Sequence, residues 1–121
     1  VLFRSGVTLF RLSGGGKSVV FMSDCTLTPA LFPCAADFAA GCDLLLIDGQ
    51  YSDSEWPGRE NFGHSRWTDA ARLGEVCGAG QTRIIHHDPL HTDKVLIAAE
   101  NSLKAEYPRC AFAREKEEII L

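Results

Sequence analysis

With 121 residues, the chain is long enough for one domain at most. Its hydrophobic fraction of 45% and charged fraction of 23% are typical of a globular protein, and its net charge of −4 gives no electrostatic signature of nucleic-acid binding. No apolar run approaches the roughly 20 residues that span a bilayer, so no membrane segment is predicted. The five cysteines are scattered and never in CxxC spacing, which argues against a disulfide framework or zinc knuckle and favours reduced thiols in a cytoplasmic protein.

The N-terminal part of the chain predicts a β-hairpin. Val7–Leu12 and Ser18–Met22 are strand-like, and the glycine-rich Ser13–Lys17 between them is typical of a turn. The same glycines suggest a phosphate-binding loop, but that motif requires glycine where this chain has Arg11, and it requires a helix afterwards. We therefore interpret the segment as a hairpin turn.

The rest of the chain predicts strands that alternate with helices. Thr26–Ala40 indicates a loop and a short helix that ends at Gly41, and Cys42–Ile47 indicates a strand buried on both faces. After a long polar loop, Asp48–Gly63, Thr68 can N-cap the next helix. The remaining predicted elements are a strand at Thr82–His86, a helix at Asp93–Tyr107, and short strands at Cys110–Ala113 and Glu118–Leu121. This order predicts an α/β fold with one mixed sheet and helices on one face.

Four polar side chains at the ends of apolar runs suit metal chemistry. Asp24 ends a strand, where its carboxylate can bridge two divalent cations or simply form a turn. Asp48 ends the next strand and can orient a histidine or a metal-bound water, or again form a turn. His64 precedes the Thr68 helix and can meet an anion or donate a proton, or lie on the surface. His86 follows a strand and is a candidate metal ligand.

The neighbouring histidines are weaker candidates. Consecutive strand residues point to opposite sides, so at most one of His86 and His87 faces the site. Pro89 separates His87 from His91, and we expect His91 to be a surface residue or at best a phosphate contact. Cys25, beside Asp24, is a further candidate because some metal sites recruit a thiolate.

Taken in order, these segments resemble the C-terminal half of the metallo-β-lactamase fold superfamily, nearest to its phosphodiesterase and tRNA 3′-processing endonuclease branches. In those families a strand ends on a bridging aspartate, as VVFMSD does here at Asp24. A buried strand then leads to an acidic residue, as LLLID does at Asp48, and a His-Ser step like His64-Ser65 opens a helix. A later strand ends on a metal-binding histidine, as RIIH does at His86.

The resemblance implies one half of an αββα sandwich and a metal-dependent hydrolase, which cleaves phosphodiesters with a metal-bound hydroxide. By the same resemblance, Asp24 and His86 are metal ligands, and His64 and Asp48 are the catalytic candidates. Two divalent ions, Zn²⁺ first and Mn²⁺ second, are the implied cofactors. The implied substrate is a small-molecule or nucleotide phosphodiester, and the charge does not point to a nucleic acid.

The family's first metal motif, His-x-His-x-Asp-His, is not in this sequence, so we expect this chain alone to be inactive. We expect residues 1–121 to be the C-terminal half of the domain, with an uncovered sheet face that favours self-association. Leu2-Phe3-Arg4-Ser5 matches what a common sequencing adapter spells in one reading frame, so residues 1–5 are expected to be a non-native leader.

Two other functions stay open. One is a non-catalytic binding or scaffold member of the same fold. The other is a small self-contained α/β domain that binds phosphorylated ligands, with a single Mg²⁺ held by Asp24 and Asp48.

Overall fold

The computed structural model describes residues 6–121, so the expected leader at residues 1–5 lies outside the described part of the chain. Its elements are β1 (Phe10–Gly14), β2 (Lys17–Met22), α1 (Phe32–Ala39), β3 (Leu44–Asp48), α2 (Trp67–Val76), β4 (Gln81–Ile85), α3 (Asp93–Glu106) and β5 (Cys110–Phe112). The strands form one five-stranded sheet in the order β1-β2-β3-β4-β5. Within residues 6–121, no helix is both long enough and apolar enough to cross a membrane.

The predicted hairpin is present as β1 and β2, which pair antiparallel with Phe10 opposite Phe21. Gly15 and Gly16 form the turn with φ of 57° and 76°. Two successive positive φ angles are what a tight hairpin turn requires, and glycine adopts them without strain. The Gly-rich segment is therefore a turn between strands and is not followed by a helix.

The helices cover one face of the sheet, as predicted. β2, β3, β4 and β5 pair in parallel, and their register places Met22, Ile47, Ile84 and Phe112 side by side. These four residues are buried in one core cluster, to which the helices contribute Ala35, Ala39, Ala70, Ala71, Leu73 and Leu103. Since all three helices contribute to the same core, they lie on the same side of the sheet.

The opposite face of the sheet is apolar and partly open. Phe10 and Leu12 stand opposite Phe21 and Val19 and alternate with the core residues of β2, so they point away from the helices. Phe10 is 53% exposed and Leu12 is 63% exposed. No helix of residues 6–121 covers these two side chains.

Two local predictions are wrong. Helix α2 begins at Trp67 after Arg66 as N-cap, and the Thr68 hydroxyl instead donates a 2.6 Å hydrogen bond to Asp53. The segment 118–121 forms no strand. After β5 the chain forms a turn at residues 115–116, where Glu117 accepts hydrogen bonds from the Arg83 side chain at 2.8 Å and from the Arg114 amide at 3.3 Å.

The parallel strands explain where a site can form. Because β2, β3 and β4 run in the same direction, their carboxyl ends lie at one edge of the sheet, and loops at such an edge commonly carry ligand-binding residues. Asp48 is the last residue of β3, Asp24 follows β2 by two residues, and His86 follows β4 directly.

Candidate metal centre

The four candidate residues named above come together at this edge. Asp24, Asp48, His64 and His86 each contribute one potential ligand atom, and these atoms all lie within 4.8 Å of one another. They come from three strand ends and from the loop before α2. The sequence prediction that these residues converge therefore agrees with the geometry, while their individual roles stay predictions.

Two of the four residues have a strained backbone. Asp24 has a φ of 54° and His86 a φ of 64°, in the left-handed region that residues other than glycine rarely adopt. Each sits where its strand ends and the chain turns sharply. Such strain costs on the order of 1 kcal/mol or more and persists only where neighbouring contacts enforce it, which is a common property of functional sites.

Asp48 is the polar centre of the cluster. Its side chain is fully buried and accepts three hydrogen bonds: from the Asp24 amide at 3.1 Å, from Nδ1 of His64 at 2.8 Å and from the Ser65 amide at 3.0 Å. Burial raises the pKa of Asp48, and the hydrogen bonds from His64 and Ser65 oppose that shift. One carboxylate thus fixes both the turn at Asp24 and the ring of His64.

Ser65 is a site-supporting residue to which the sequence analysis gave no role. It is fully buried, its hydroxyl donates to the Cys25 carbonyl at 2.7 Å, and the same oxygen accepts from the Leu27 amide at 3.0 Å. The Ser65 carbonyl in turn accepts a 3.0 Å bond from the Gln50 amide. Ser65 therefore connects the segment after Asp24 to the loop that carries His64.

The exposed side of the cluster is formed by Asp24 and His86. Nε2 of His86 lies 3.1 Å from Oδ1 of Asp24, and the His86 ring stacks on the His64 ring with centroids 4.5 Å apart. Oδ2 of Asp24 accepts a 2.7 Å hydrogen bond from the Ser23 hydroxyl. This hydrogen bond and the nearby His86 ring lower the pKa of Asp24, against a smaller opposing effect of burial. The Asp24 side chain is 59% exposed, so its carboxylate is accessible to a ligand.

The weaker candidates lie outside the cluster. His87 points to the other side of the strand end, as expected, and packs on the Phe112 ring at 4.8 Å between centroids, where burial lowers its pKa. The expectation of a surface His91 is wrong: its side chain is only 9% exposed, and Nε2 lies 2.8 Å from Oε1 of Glu55. The Cys25 thiol faces the core, and burial raises its pKa to about 12, so it offers no thiolate to a metal.

The cluster lies on an open surface of the described chain. Neither of two cavities of about 460 Å³ is lined by any of the four residues. One of these cavities lies beside His87 and α3, and the other lies beside Trp56 and α1. A ligand at the cluster would therefore be approached from solvent at the sheet edge.

The donor set fits a divalent transition metal. Two carboxylates and two imidazoles in one small cluster are ligands that Zn²⁺ and Mn²⁺ accept. The Asp48 side chain is fully buried and that of His64 is 16% exposed, whereas Asp24 and His86 are 59% and 35% exposed. The atoms most accessible to a cation are therefore the Asp24 carboxylate and Nε2 of His86. The resemblance implied the same two residues as metal ligands, with His64 and Asp48 as catalytic candidates, and these roles stay predictions.

Comparison with known sequences identifies the family. Residues 4–87 match the beta-lactamase superfamily domain. Ribonuclease Z from Thermoplasma volcanium is 32% identical over 86 residues, which cover 69% of this chain and 27% of that protein. The chain thus spans about a quarter of the length of this curated relative.

Solved structures agree on the fold. The metallo-β-lactamase fold protein YhfI from Bacillus subtilis superimposes with a TM-score of 0.67 at 20% identity, over 86% of this chain and 40% of that one. The short form of human tRNase Z superimposes with a TM-score of 0.68 at 17% identity, over 93% of this chain and 37% of that one. The predicted resemblance and the α/β fold class are confirmed, and the chain belongs to the beta-lactamase superfamily.

Proposed function

We propose that this chain forms part of a metal-dependent hydrolase that cleaves phosphodiesters. The observation that carries the proposal is the convergence of Asp24, Asp48, His64 and His86 at one sheet edge in a member of the beta-lactamase superfamily. Similarity to a protein named ribonuclease Z supports a phosphodiester of a polynucleotide as the substrate class. The net charge of −4 gives this proposal no support of its own, since nucleic-acid binding surfaces are basic.

We further propose that residues 1–121 are the C-terminal half of the domain. Partial coverage of solved structures supports a half-domain, since the chain covers 40% of the YhfI chain and 37% of the human tRNase Z chain. A half-domain would supply only some of the ligands of a two-metal site, because Asp24 and His86 are the two donors of the described cluster that are most accessible to a ligand, with side chains 59% and 35% exposed. Two ions, Zn²⁺ or Mn²⁺, are the proposed cofactors, and Asp24 and His86 are the residues of this chain that would hold them.

A bound divalent cation would polarise the phosphate and lower the pKa of a coordinated water towards neutrality. The remaining chemistry belongs to His64 and Asp48. A carboxylate at Asp48 accepts the hydrogen from Nδ1 of His64, which leaves Nε2 as the nitrogen that faces outward. From there a protonated His64 can bind a phosphate oxygen or donate its proton to the leaving oxygen.

Asp48 acts in this scheme as a positioning residue. It holds the His64 ring at 2.8 Å and the Asp24 amide at 3.1 Å, so it sets the distance between the proton donor and the metal ligand. Orientation of this kind matters because misplacement of a catalytic group by about 1 Å can cost a hundredfold in rate.

Metal binding by this chain tests the ligand assignment without any activity assay. Titration of the chain with Zn²⁺ should show binding that Asp24→Ala and His86→Ala each weaken by at least about tenfold. His64→Ala should leave the affinity within a few-fold of the original. Asp37→Ala, which removes an exposed carboxylate on α1, is the matched control and should change nothing. Equal weakening by the His64 and Asp24 variants would refute the separate roles.

The intact parent protein tests the reaction. There His64→Ala should lower the turnover of a phosphodiester with bound metal unchanged, whereas Asp24→Ala should lose both metal and turnover. A parent that binds metal at this site yet hydrolyses no phosphodiester would favour a non-catalytic binding member of the fold.

A further inference from the structure

A cavity of about 460 Å³ lies beside the metal cluster, between α1, the long loop and the start of α2. Its volume is within the usual range of small-molecule sites. The cavity begins where two segments leave the cluster, since its lining residue Thr26 follows Asp24 by two positions and its lining residue Arg66 follows His64 by two positions. Two residues of chain span at most about 7 Å, so the cavity and the cluster are neighbours.

Aromatic rings form two walls of this cavity. Trp56 contributes one ring from the long loop, Phe32 contributes the other from the start of α1, and both are only partly buried. An arginine lies against each ring: the guanidinium carbon of Arg66 is 5.6 Å from the Trp56 ring centroid, and that of Arg72 is 4.9 Å from the Phe32 ring centroid. Nucleobases stack on aromatic rings and on guanidinium planes, so both walls offer a flat surface to a base.

The two arginines of the cavity differ in how their charge is used. Arg66 forms a bidentate ion pair with Asp69, in which Nε and Nη2 donate to the two carboxylate oxygens at 2.8 Å and 3.0 Å. Arg72 is exposed, and none of the ion pairs within residues 6–121 involves it. The remaining carboxylate of the lining, Glu60, can accept a hydrogen bond from the amino group of a base. Arg72 is therefore the cation of the cavity that is available to a phosphate, which arginine binds with two parallel hydrogen bonds.

We propose that this cavity binds one nucleotide of the substrate, with the base against Trp56 and Phe32 and a phosphate on Arg72. The spacing along α2 fits such a ligand, because Arg72 follows Arg66 by six residues, which is about 9 Å along a helix axis and away from the cluster. A base in the cavity would then lie between a phosphate at the metal cluster and the next phosphate of the chain at Arg72.

The cavity and the cluster are also held together by a polar contact. The Ser65 hydroxyl accepts a hydrogen bond from the amide of Leu27, which lines the cavity, and Ser65 is the residue between His64 and Arg66. A nucleotide seated in the cavity would therefore be fixed relative to the His64 ring. The inference rests on the proposed function for its link to catalysis, whereas nucleotide binding itself needs neither a metal nor turnover.

Titration of the metal-free chain with adenosine 5′-monophosphate tests the proposal. A base stacked on Trp56 should quench the tryptophan fluorescence in a saturable way, and calorimetry measures the affinity independently. Trp56→Phe should abolish the quenching but keep most of the affinity, because phenylalanine still stacks and the remaining Trp67 is only 7% exposed. Trp56→Leu, which removes the stacking surface, should weaken binding by at least about fivefold.

Variants of Arg72 test the phosphate contact, and this exposed side chain can be replaced without disturbing the core. Arg72→Ala should weaken binding of adenosine 5′-monophosphate by at least about tenfold and leave the affinity for adenosine nearly unchanged. Arg109→Ala, which removes another exposed arginine, is the matched control and should change neither affinity. No saturable binding by the folded chain, or equal losses for the nucleotide and the nucleoside in Arg72→Ala, would overturn the proposal.

The intact parent protein separates this inference from the proposed function. There Arg72→Ala and Trp56→Leu should each lower kcat/KM for a short oligonucleotide at least about fivefold more than kcat/KM for a phosphodiester that carries no base. Nucleotide binding by a parent that cleaves neither substrate would refute the hydrolase and leave the nucleotide site. Cleavage of both substrates with an unchanged ratio in the two variants would refute the nucleotide site and leave the hydrolase.

Discussion

The role of Ser65 gives the sharpest test of how the site is held together. Ser65→Ala removes a hydroxyl that bonds to the Cys25 carbonyl at 2.7 Å and to the Leu27 amide at 3.0 Å. Both Cys25 and Leu27 are at least 96% buried, so water cannot replace the lost partner without opening the structure. An unpaired buried polar group costs about 1–3 kcal/mol, and the Leu27 amide, which loses its acceptor, falls within that range. The Cys25 carbonyl, which loses one donor, adds a cost at the low end of the range. The expected loss in the free energy of unfolding is therefore about 2–4 kcal/mol.

Urea denaturation followed by circular dichroism measures this loss at fixed pH and temperature. Ser102→Ala is the matched control, because Ser102 is exposed on α3, and the change there should stay within about 0.5 kcal/mol. A loss below about 1 kcal/mol for Ser65→Ala, or one equal to that of the control, would refute the argument that the Ser65 hydroxyl holds the Asp24 segment in place.

Two further predictions concern other parts of the molecule. Although burial opposes it, hydrogen bonds from Ser52 and His91 lower the pKa of Glu55 from 4.5 to about 2. Glu55 should therefore contribute about 2 kcal/mol above pH 4.5, after a discount for its partial exposure, and this contribution should disappear as the pH falls towards 2. Gly74→Ala should destabilise the fold by about 1–3 kcal/mol, because a Cβ there would lie 2.0 Å from the Thr82 hydroxyl oxygen.

Each of these predictions has a control or an opposing outcome. Glu55→Gln should show its full deficit at pH 6 and almost none near pH 2, and a deficit independent of pH would contradict the assignment. Gly14→Ala meets no atom within 4 Å and should be nearly neutral, so equal losses at the two glycines would rule out the clash at α2.

The candidate site was predictable from the sequence to the extent that it depends on strand ends. Asp24, Asp48 and His86 each follow an apolar run, and parallel strands bring such ends to one edge of a sheet. The opposite orientation of His86 and His87 follows from the alternation of side chains along a strand. The convergence of the strand ends depends only on the direction of the strands, and the orientation of the two histidines depends only on the local period of the sequence. Both inferences agree with the geometry.

The errors arose where a partner lies far away in the sequence. Threonine is a favoured N-cap residue, yet the Thr68 hydroxyl donates a hydrogen bond to Asp53, which is 15 positions earlier. His91 looked like a surface residue because nothing local contacts it, but Glu55, 36 positions earlier, binds it against Trp67. A propensity describes what a residue does without tertiary contacts, and here those contacts decided the outcome.

The sequence analysis named Ser65 only as part of the His-Ser step, and its buried hydrogen bonds could not be predicted for a related reason. Nothing in the sequence near Ser65 points to Cys25 or Leu27, which lie 40 and 38 positions before it. The loop from Asp48 to His64 is long and polar, so apolar packing alone would not hold it in one position. The buried Asp48 carboxylate and the buried Ser65 hydroxyl supply the fixed contacts instead, and between them they hold the turn after β2 and the start of the His64 segment. The geometry between Asp24 and His64 therefore depends on a few polar atoms, so removal of one hydroxyl should disturb the site more than removal of a methyl group from the nearby core.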